Sequence, residues 1–226
     1  MLLAIDTATA QISLALYDGE RVQSEATWHS AQNHTLELAP AVHDLLAHVG
    51  GWGAVSALAA AVGPGSYSAL RIGVAFAKGA AAARRLPLIG VTTWEILALA
   101  QPPAAHELIP LVGAGRGRVT AVRCHWHAES GRWSAVSDPE NFTWDALIAG
   151  VRARGSPAHL TGEIDTVGAA LIAAAAHSIP ITLAAPAERV RRAGFLAQEA
   201  WTRLAAKGAG AFDPAALVPV YVKTAL

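Results

Sequence analysis

The hydrophobic pattern of the chain changes period several times, and each change marks an element. Leu2–Asp6 is a continuous apolar run closed by a carboxylate, the mark of a buried strand. After a Thr7–Gln11 turn, Ile12, Leu14 and Leu16 alternate with Ser13 and Ala15, a period of two. Asp18-Gly19 signals a hairpin, and Arg21–Trp28 supplies a third strand. Leu38, Val42, Leu45, Leu46 and Val49 then recur at helical spacing, with Asn33 placed as N-cap and Gly50-Gly51 as terminator. Pro40 inside that helix predicts a kink or a late start. Ala57–Val62 is again a short apolar strand. It runs through a Gly63-Pro64-Gly65-Ser66 turn into a helix from about Ser68 to Arg85. Glycine permits backbone angles that a Cβ forbids and proline fixes φ, so this turn is sharp and rigid; Ser66 or Ser68 can cap the helix. Leu86–Val91 and a helix starting near Thr93 complete the half.

The helix after the turn is apolar on more than one flank. Arg71, Lys78 and Arg85 form one stripe; Leu70, Val74, Ala77 and Ala81 lie on one side of it, and Ile72, Phe76 and Gly79 on another. One flank packs on the sheet, and the other calls for a second layer or a partner. Three hairpin-linked strands followed by helix, strand, helix and strand predict a mixed five-stranded sheet with helices on its faces. That order matches the ribonuclease H-like fold. Gln101-Pro102-Pro103 is the expected boundary, dividing the chain into residues 1–102 and 103–226. The pattern then restarts: strands at Leu108–Val112, Val119–Trp126 and Arg132–Val136, a helix at Trp144–Arg152, a strand at Ala158–Thr161, a helix at Val167–His177, a strand at Ile179–Leu183, a long helix at Glu188–Ala206 and an extended tail at Val218–Val222.

Charge and composition narrow the chemistry. The 226 residues carry a formal net charge of zero and only 15% are charged, so no global attraction to nucleic acid is built in. The single cysteine, Cys124, rules out an intrachain disulfide or a thiolate-rich metal site. Met1–Asp6 lacks a basic n-region, and no uncharged run approaches the roughly twenty residues of a membrane span, so a soluble cytoplasmic protein is expected. A nuclease of this fold needs several convergent carboxylates; Asp6 is in place, but the Ile12–Tyr17 and Ala57–Val62 strands contribute none. His29 and His34, like His43 and His48, are five apart, which splits each pair across a helix. Gly63–Ser68 fails both the Gly-x-Ser-x-Gly and the Walker spacing. The turn can still hold an anion at the helix start, so Asp6, Thr7, Gly63, Gly65 and Ser66 are the candidates for nucleotide or phosphate contact. Arg116 and Arg118, and the Arg189, Arg191 and Arg192 group, read chiefly as solvated charges.

Ala4-Ile5-Asp6-Thr7-Ala8, His34-Thr35, the run Gly63-Pro64-Gly65-Ser66-Tyr67-Ser68-Ala69-Leu70-Arg71-Ile72-Gly73, Gly90-Val91-Thr92-Thr93 and the terminal Pro219-Val220-Tyr221-Val222-Lys223 together resemble the bacterial TsaB (YeaZ) family. The resemblance covers the whole chain and is strongest over residues 1–100. The family's Phe-Thr-Gly stands here as Tyr67-Ser68-Ala69, its Asp-Ala-Arg as Gly113-Ala114-Gly115, and a usual aromatic as Thr120. The resemblance implies two ribonuclease H-like lobes of the actin-like, sugar-kinase-like ATPase superfamily. It implies a non-catalytic subunit that serves TsaD in threonylcarbamoyl transfer to the adenosine beside the tRNA anticodon. TsaD is then the partner, TsaE joins through the TsaB–TsaD complex, a homodimer forms when the chain is alone, and tRNA is met indirectly. No catalytic residue, metal or cofactor is implied, and a nucleotide at the partner interface stays open. The expected interface is Leu38, Val42, Leu45, Arg71, Ile72, Gly73, Phe76 and Lys78. The alternatives are an ATP-dependent phosphotransferase of the same superfamily and a glycoprotease-like metallopeptidase.

Overall fold

The structure, a computed structural model, describes residues 1–31 and 33–222. Lys223 of the terminal motif lies outside the described residues. Two compact units are present: Met1–Ile96 together with Arg191–Val220, and a second built on Leu97–Val190.

In the first unit, strands β1 (Leu2–Asp6), β2 (Gln11–Tyr17), β3 (Val22–His29), β4 (Ala57–Ala61) and β5 (Leu88–Val91) form one sheet in the order β3-β2-β1-β4-β5. β1 runs antiparallel to β2 and parallel to β4, which in turn is parallel to β5. Every residue of β1 and of β4 is buried, because helices cover both faces. On one face α1 (His34–Ala47) and α2 (Tyr67–Arg84) meet Leu3, Ile5, Leu14 and Leu58 through Leu38, Val42, Leu46, Val74, Ala77 and Ala81. Each fully buried leucine in such a cluster contributes about 1.5–3 kcal/mol. Pro40 lies inside α1, which continues unbroken from His34 to Ala47. Asn33 is the N-cap residue but makes no side-chain cap bond. Helix α3 (Thr93–Leu99) follows β5.

The second unit repeats the strand order. Its strands are β6 (Glu107–Gly115), β7 (Arg118–Ala121), β8 (Cys124–His127), β9 (Arg132–Ala135), β10 (Glu140–Thr143), β11 (Ala158–Gly162) and β12 (Ile181–Leu183), joined by helices α4 (Trp144–Arg154) and α5 (Thr166–Ala175). The path β10-β7-β6-β11-β12 reproduces that of the first sheet, with β6 in the place of β1. The ribonuclease H-like strand order is therefore present once in each unit, as an actin-like, sugar-kinase-like fold of two such lobes requires. Two expectations are corrected here. The Val119–Trp126 stretch is two strands, since Val122 and Arg123 break the ladder. The third strand of the order is β10, whereas Arg132–Ala135 folds onto β8 with Trp126 opposite Trp133. Cross-strand aromatic pairing holds that hairpin together.

The final helix, α6 (Ala193–Lys207), is the largest departure from a division at residue 102. It returns to the first unit, covering the sheet face opposite α1 and α2, and Ala193, Leu196, Ala197 and Ala200 pack on Leu2, Ala4, Ala15 and Ala59. Small residues on both sides allow close contact, and the Ser13 hydroxyl accepts the Ala193 N–H at 2.8 Å. The helix begins at Ala193 instead of Glu188 because Pro186–Arg189 form a separate 3-10 turn. Among the described residues, no helix is long and apolar enough to cross a membrane.

Candidate partner interface and strand-to-helix turn

Asp6, at the end of β1, is fully buried, and so is Arg191 at the entry to α6. The Arg191 Nε donates to Asp6 Oδ2 at 3.0 Å, and its Nη2 donates to the Thr9 hydroxyl at 2.6 Å. The Ala8 N–H donates to Asp6 Oδ1 at 2.8 Å, and the Arg191 N–H donates to the Gln11 amide oxygen at 3.1 Å. Two charges removed from water hold only when paired and hydrogen-bonded in this way. Asp6 is thus a structural counter-ion and is not placed for phosphate contact. The arginine group at 189–192 is divided in the same manner, since Arg192 pairs with Glu25.

The Gly63–Ser66 turn is held by other backbone. The Ser66 N–H donates to Ala8 O at 2.7 Å, the Thr93 N–H to Gly63 O at 2.9 Å, and the Thr93 hydroxyl to Pro64 O at 2.6 Å. Gly63 has φ +102°, and a Cβ at Gly65 would lie 2.2 Å from Ala8 O. These glycines are required by the approach of the β1–β2 connection and by a left-handed backbone angle. The buried Thr7 hydroxyl donates to Ala69 O at 2.8 Å. Thr7, Gly63 and Gly65 therefore serve internal packing, and only Ser66 of the proposed phosphate contacts is exposed.

Helix α2 buries one face through Ala69, Leu70, Gly73, Val74, Ala77 and Ala81. Its outward face carries Arg71, Ala75, Gly79 and Ala83, all exposed, flanked by the half-buried Ile72 and Phe76. On α1 the outward residues include Leu36, which is 74% exposed, with Ala39, Pro40 and His43. Four of the expected interface residues point elsewhere: Leu38, Val42, Leu45 and Gly73 are buried inside the unit, where helical periodicity turns them to the sheet. Lys78 Nζ is taken by the carbonyls of Ala215 and Leu217, at 3.1 and 3.0 Å. Arg71 lies over the exposed Tyr67 ring at 5.0 Å and donates to its hydroxyl. Leu36, Ala39, Ala75 and Ala83 are outward positions that the apolar count concealed, and Gly79, already placed on the second flank, joins them. The spacing of four among Ala75, Gly79 and Ala83 was the signal available for them.

Among the described residues, no group of three or more His, Cys, Asp or Glu side chains is placed to hold a metal ion. His34 Nε2 is bonded to Thr9 O at 2.7 Å, and His159 pairs with the Thr182 hydroxyl at 2.8 Å.

A family model described as "TsaD: tRNA N6-adenosine threonylcarbamoyltransferase" matches residues 22–135. The Escherichia coli tRNA threonylcarbamoyladenosine biosynthesis protein TsaB is 30% identical over 175 residues, which span 74% of this chain and 70% of that protein. The chain belongs to the TsaB family. A TsaB from Haemophilus influenzae is 38% identical over 66% of this chain and 61% of its own length. A solved Pseudomonas aeruginosa protein, described as similar to peptidase YeaZ, superposes with a TM-score of 0.78 at 23% identity over 98% of this chain and 99% of that one. At that identity the likeness speaks for the fold alone.

Proposed function

We propose that this chain is a non-catalytic, cytoplasmic subunit that supports a TsaD-type enzyme in forming N6-threonylcarbamoyladenosine beside the tRNA anticodon. The observation that carries the reading is the outward face of α1 and α2. Leu36, Ala39 and Pro40 on one helix, and Ala75, Gly79 and Ala83 on the other, are exposed above a core already filled beneath them. Small residues on a helix face let a partner helix come close, and exposed apolar surface of this kind marks an interaction site. The names of the family relatives support the pathway, and this chain's own likeness to the TsaD family supports a partner of the same class. The burial of Asp6 under Arg191 weighs against phosphotransfer at the end of β1, because that carboxylate is already neutralised. On this reading the same helix face forms a homodimer when the partner is absent, TsaE joins through the resulting complex, and tRNA is met through TsaD.

The test is co-expression with the cognate TsaD-type protein, followed by sizing of the purified complex. Gly79→Arg and Ala75→Glu should each abolish co-elution without lowering the melting temperature followed by circular dichroism. A complex that survives both changes, or no complex at about 10 μM of each protein, would refute the proposal.

A further inference from the structure

A pocket of about 360 Å³ opens beside the core of the second unit, with Ile109, Phe142 and Leu147 as its apolar lining. Arg123 and Arg154 border it, and both are held from behind by one carboxylate. Glu107, the first residue of β6, is 5% exposed. Its Oε2 accepts from Arg154 Nε at 3.1 Å and pairs with Nη2 at 2.9 Å; its Oε1 accepts from Arg123 Nη1 at 3.4 Å. His125 Nε2 stands 3.9 Å from the same carboxylate. Arg154 Nη1, and Nε and Nη2 of Arg123, are left without a hydrogen-bond acceptor among the described residues. Asp138 and Glu140 also line the pocket, both exposed, and neither carboxylate is hydrogen-bonded among the described residues.

Both signs of charge are therefore unspent around one apolar-lined pocket. Two guanidinium groups against one buried carboxylate leave a positive excess, and Asp138 with Glu140 supply the opposite sign. A ligand with a single charge would satisfy one set and face the other unmatched. The arginine forks are fixed by Glu107 before any ligand arrives, so little side-chain freedom is lost on binding. The volume lies at the small end of the range for ligand sites. The geometry points to a binding site for a small zwitterion with an apolar side chain, an α-amino acid of the leucine or phenylalanine type. Its carboxylate meets the free N–H groups of Arg123 and Arg154, its ammonium meets Asp138 and Glu140, and its side chain covers Ile109, Phe142 and Leu147. This site is independent of the α1–α2 face and of the function proposed for it.

Isothermal titration of the full chain with L-phenylalanine and with L-leucine tests the assignment, with phenylacetate and phenethylamine as single-charge comparisons. The expected result is a dissociation constant on the order of 1 mM or tighter for at least one amino acid. Each single-charge compound should bind about tenfold more weakly. Ala146→Trp places bulk at the pocket from an exposed helical position, and the double change Asp138→Asn, Glu140→Gln removes the acidic pair; both should keep the melting curve and weaken binding about tenfold. Arg154→Ala is less useful, because it uncovers the buried Glu107 and can unfold the unit. Absence of binding by either amino acid at about 10 mM would overturn the assignment. So would phenylacetate or phenethylamine binding as tightly as the amino acid, or binding unchanged in both variants.

Discussion

Gly73→Ala tests whether this glycine is required by packing within the unit. A Cβ at Gly73 would lie 2.2 Å from the Thr7 Oγ1 and 3.1 Å from its Cγ2. Thr7 cannot simply turn away, because it is 2% exposed and its hydroxyl donates to Ala69 O at 2.8 Å. Overpacking costs about 1–3 kcal/mol, and a lost buried hydrogen bond adds about 1 kcal/mol. Replacing a helical glycine by alanine returns about 1 kcal/mol. The net expectation is a destabilisation of about 2 kcal/mol. Urea unfolding followed by the fluorescence of the seven tryptophans measures it, with the midpoint shifting at constant slope. Thr7→Ala removes both offending atoms and leaves a Cβ at 3.2 Å. Gly73→Ala added to Thr7→Ala should therefore cost less than about 0.5 kcal/mol, a coupling that additivity forbids. A single mutant within about 0.5 kcal/mol of the parent, or strict additivity in the double mutant, would refute the reasoning. The result also separates folding from recognition, since Gly73 is unsuitable as an interface probe if its change loosens the fold.

Gly79→Ala should behave in the opposite sense, raising stability by about 0.5–1 kcal/mol in a thermal melt, because nothing lies within 4 Å of its added Cβ. Arg191→Met should cost about 3–5 kcal/mol in urea by leaving Asp6 buried and unpaired, and Asp6→Leu combined with it should recover most of the loss. The pKa of His159 is lowered from 6.5 chiefly by burial and further by His106, with Glu188 opposing. The unfolded chain then takes up the proton first, so this contribution is full above about pH 6.5 and is lost as pH falls towards the folded value. His159→Gln should flatten that part of a stability profile. In a carbon-detected titration Asp18 should report a pKa of about 2, held down by the N–H groups of Arg21 and Glu20 and by the Gln23 amide.

The first unit is legible in the residues because its signals are local. Alternation in Ile12–Leu16, the Asp18-Gly19 turn and the Gly63–Ser66 turn each specify their own geometry, and β2, β3, β4 and α2 follow from them. The second sheet is harder to read. β10 is Glu-Asn-Phe-Thr, with one apolar residue in four, and its place is set by pairing with β7. The destination of α6 is also hidden, since an alanine-rich stripe records that a face is buried but not against which sheet. The site suffers from the same ambiguity. Apolar residues on two flanks of α2 raise the expectation of a second contact surface, whereas Leu38, Val42 and Leu45 of α1, expected at the same interface, face the sheet. Asp6 was visible as a carboxylate at a strand end, whereas its neutralisation depends on an arginine 185 residues away.

The return of the chain at Arg191 makes the first unit discontinuous, and this imposes an order on its biosynthesis. When β5 has left the ribosome, one face of the first sheet still lacks α6, and Asp6 has no guanidinium beside it. Roughly 100 further residues must be translated before Ala200 can close that face, a delay of about 5–20 s at ordinary elongation rates. The second unit has a continuous stretch of chain and can complete itself during that interval. The first half of the sequence is therefore the last to finish folding, and a nascent chain halted before residue 191 exposes Leu2, Ala4, Ala15 and Ala59 as a surface for chaperones.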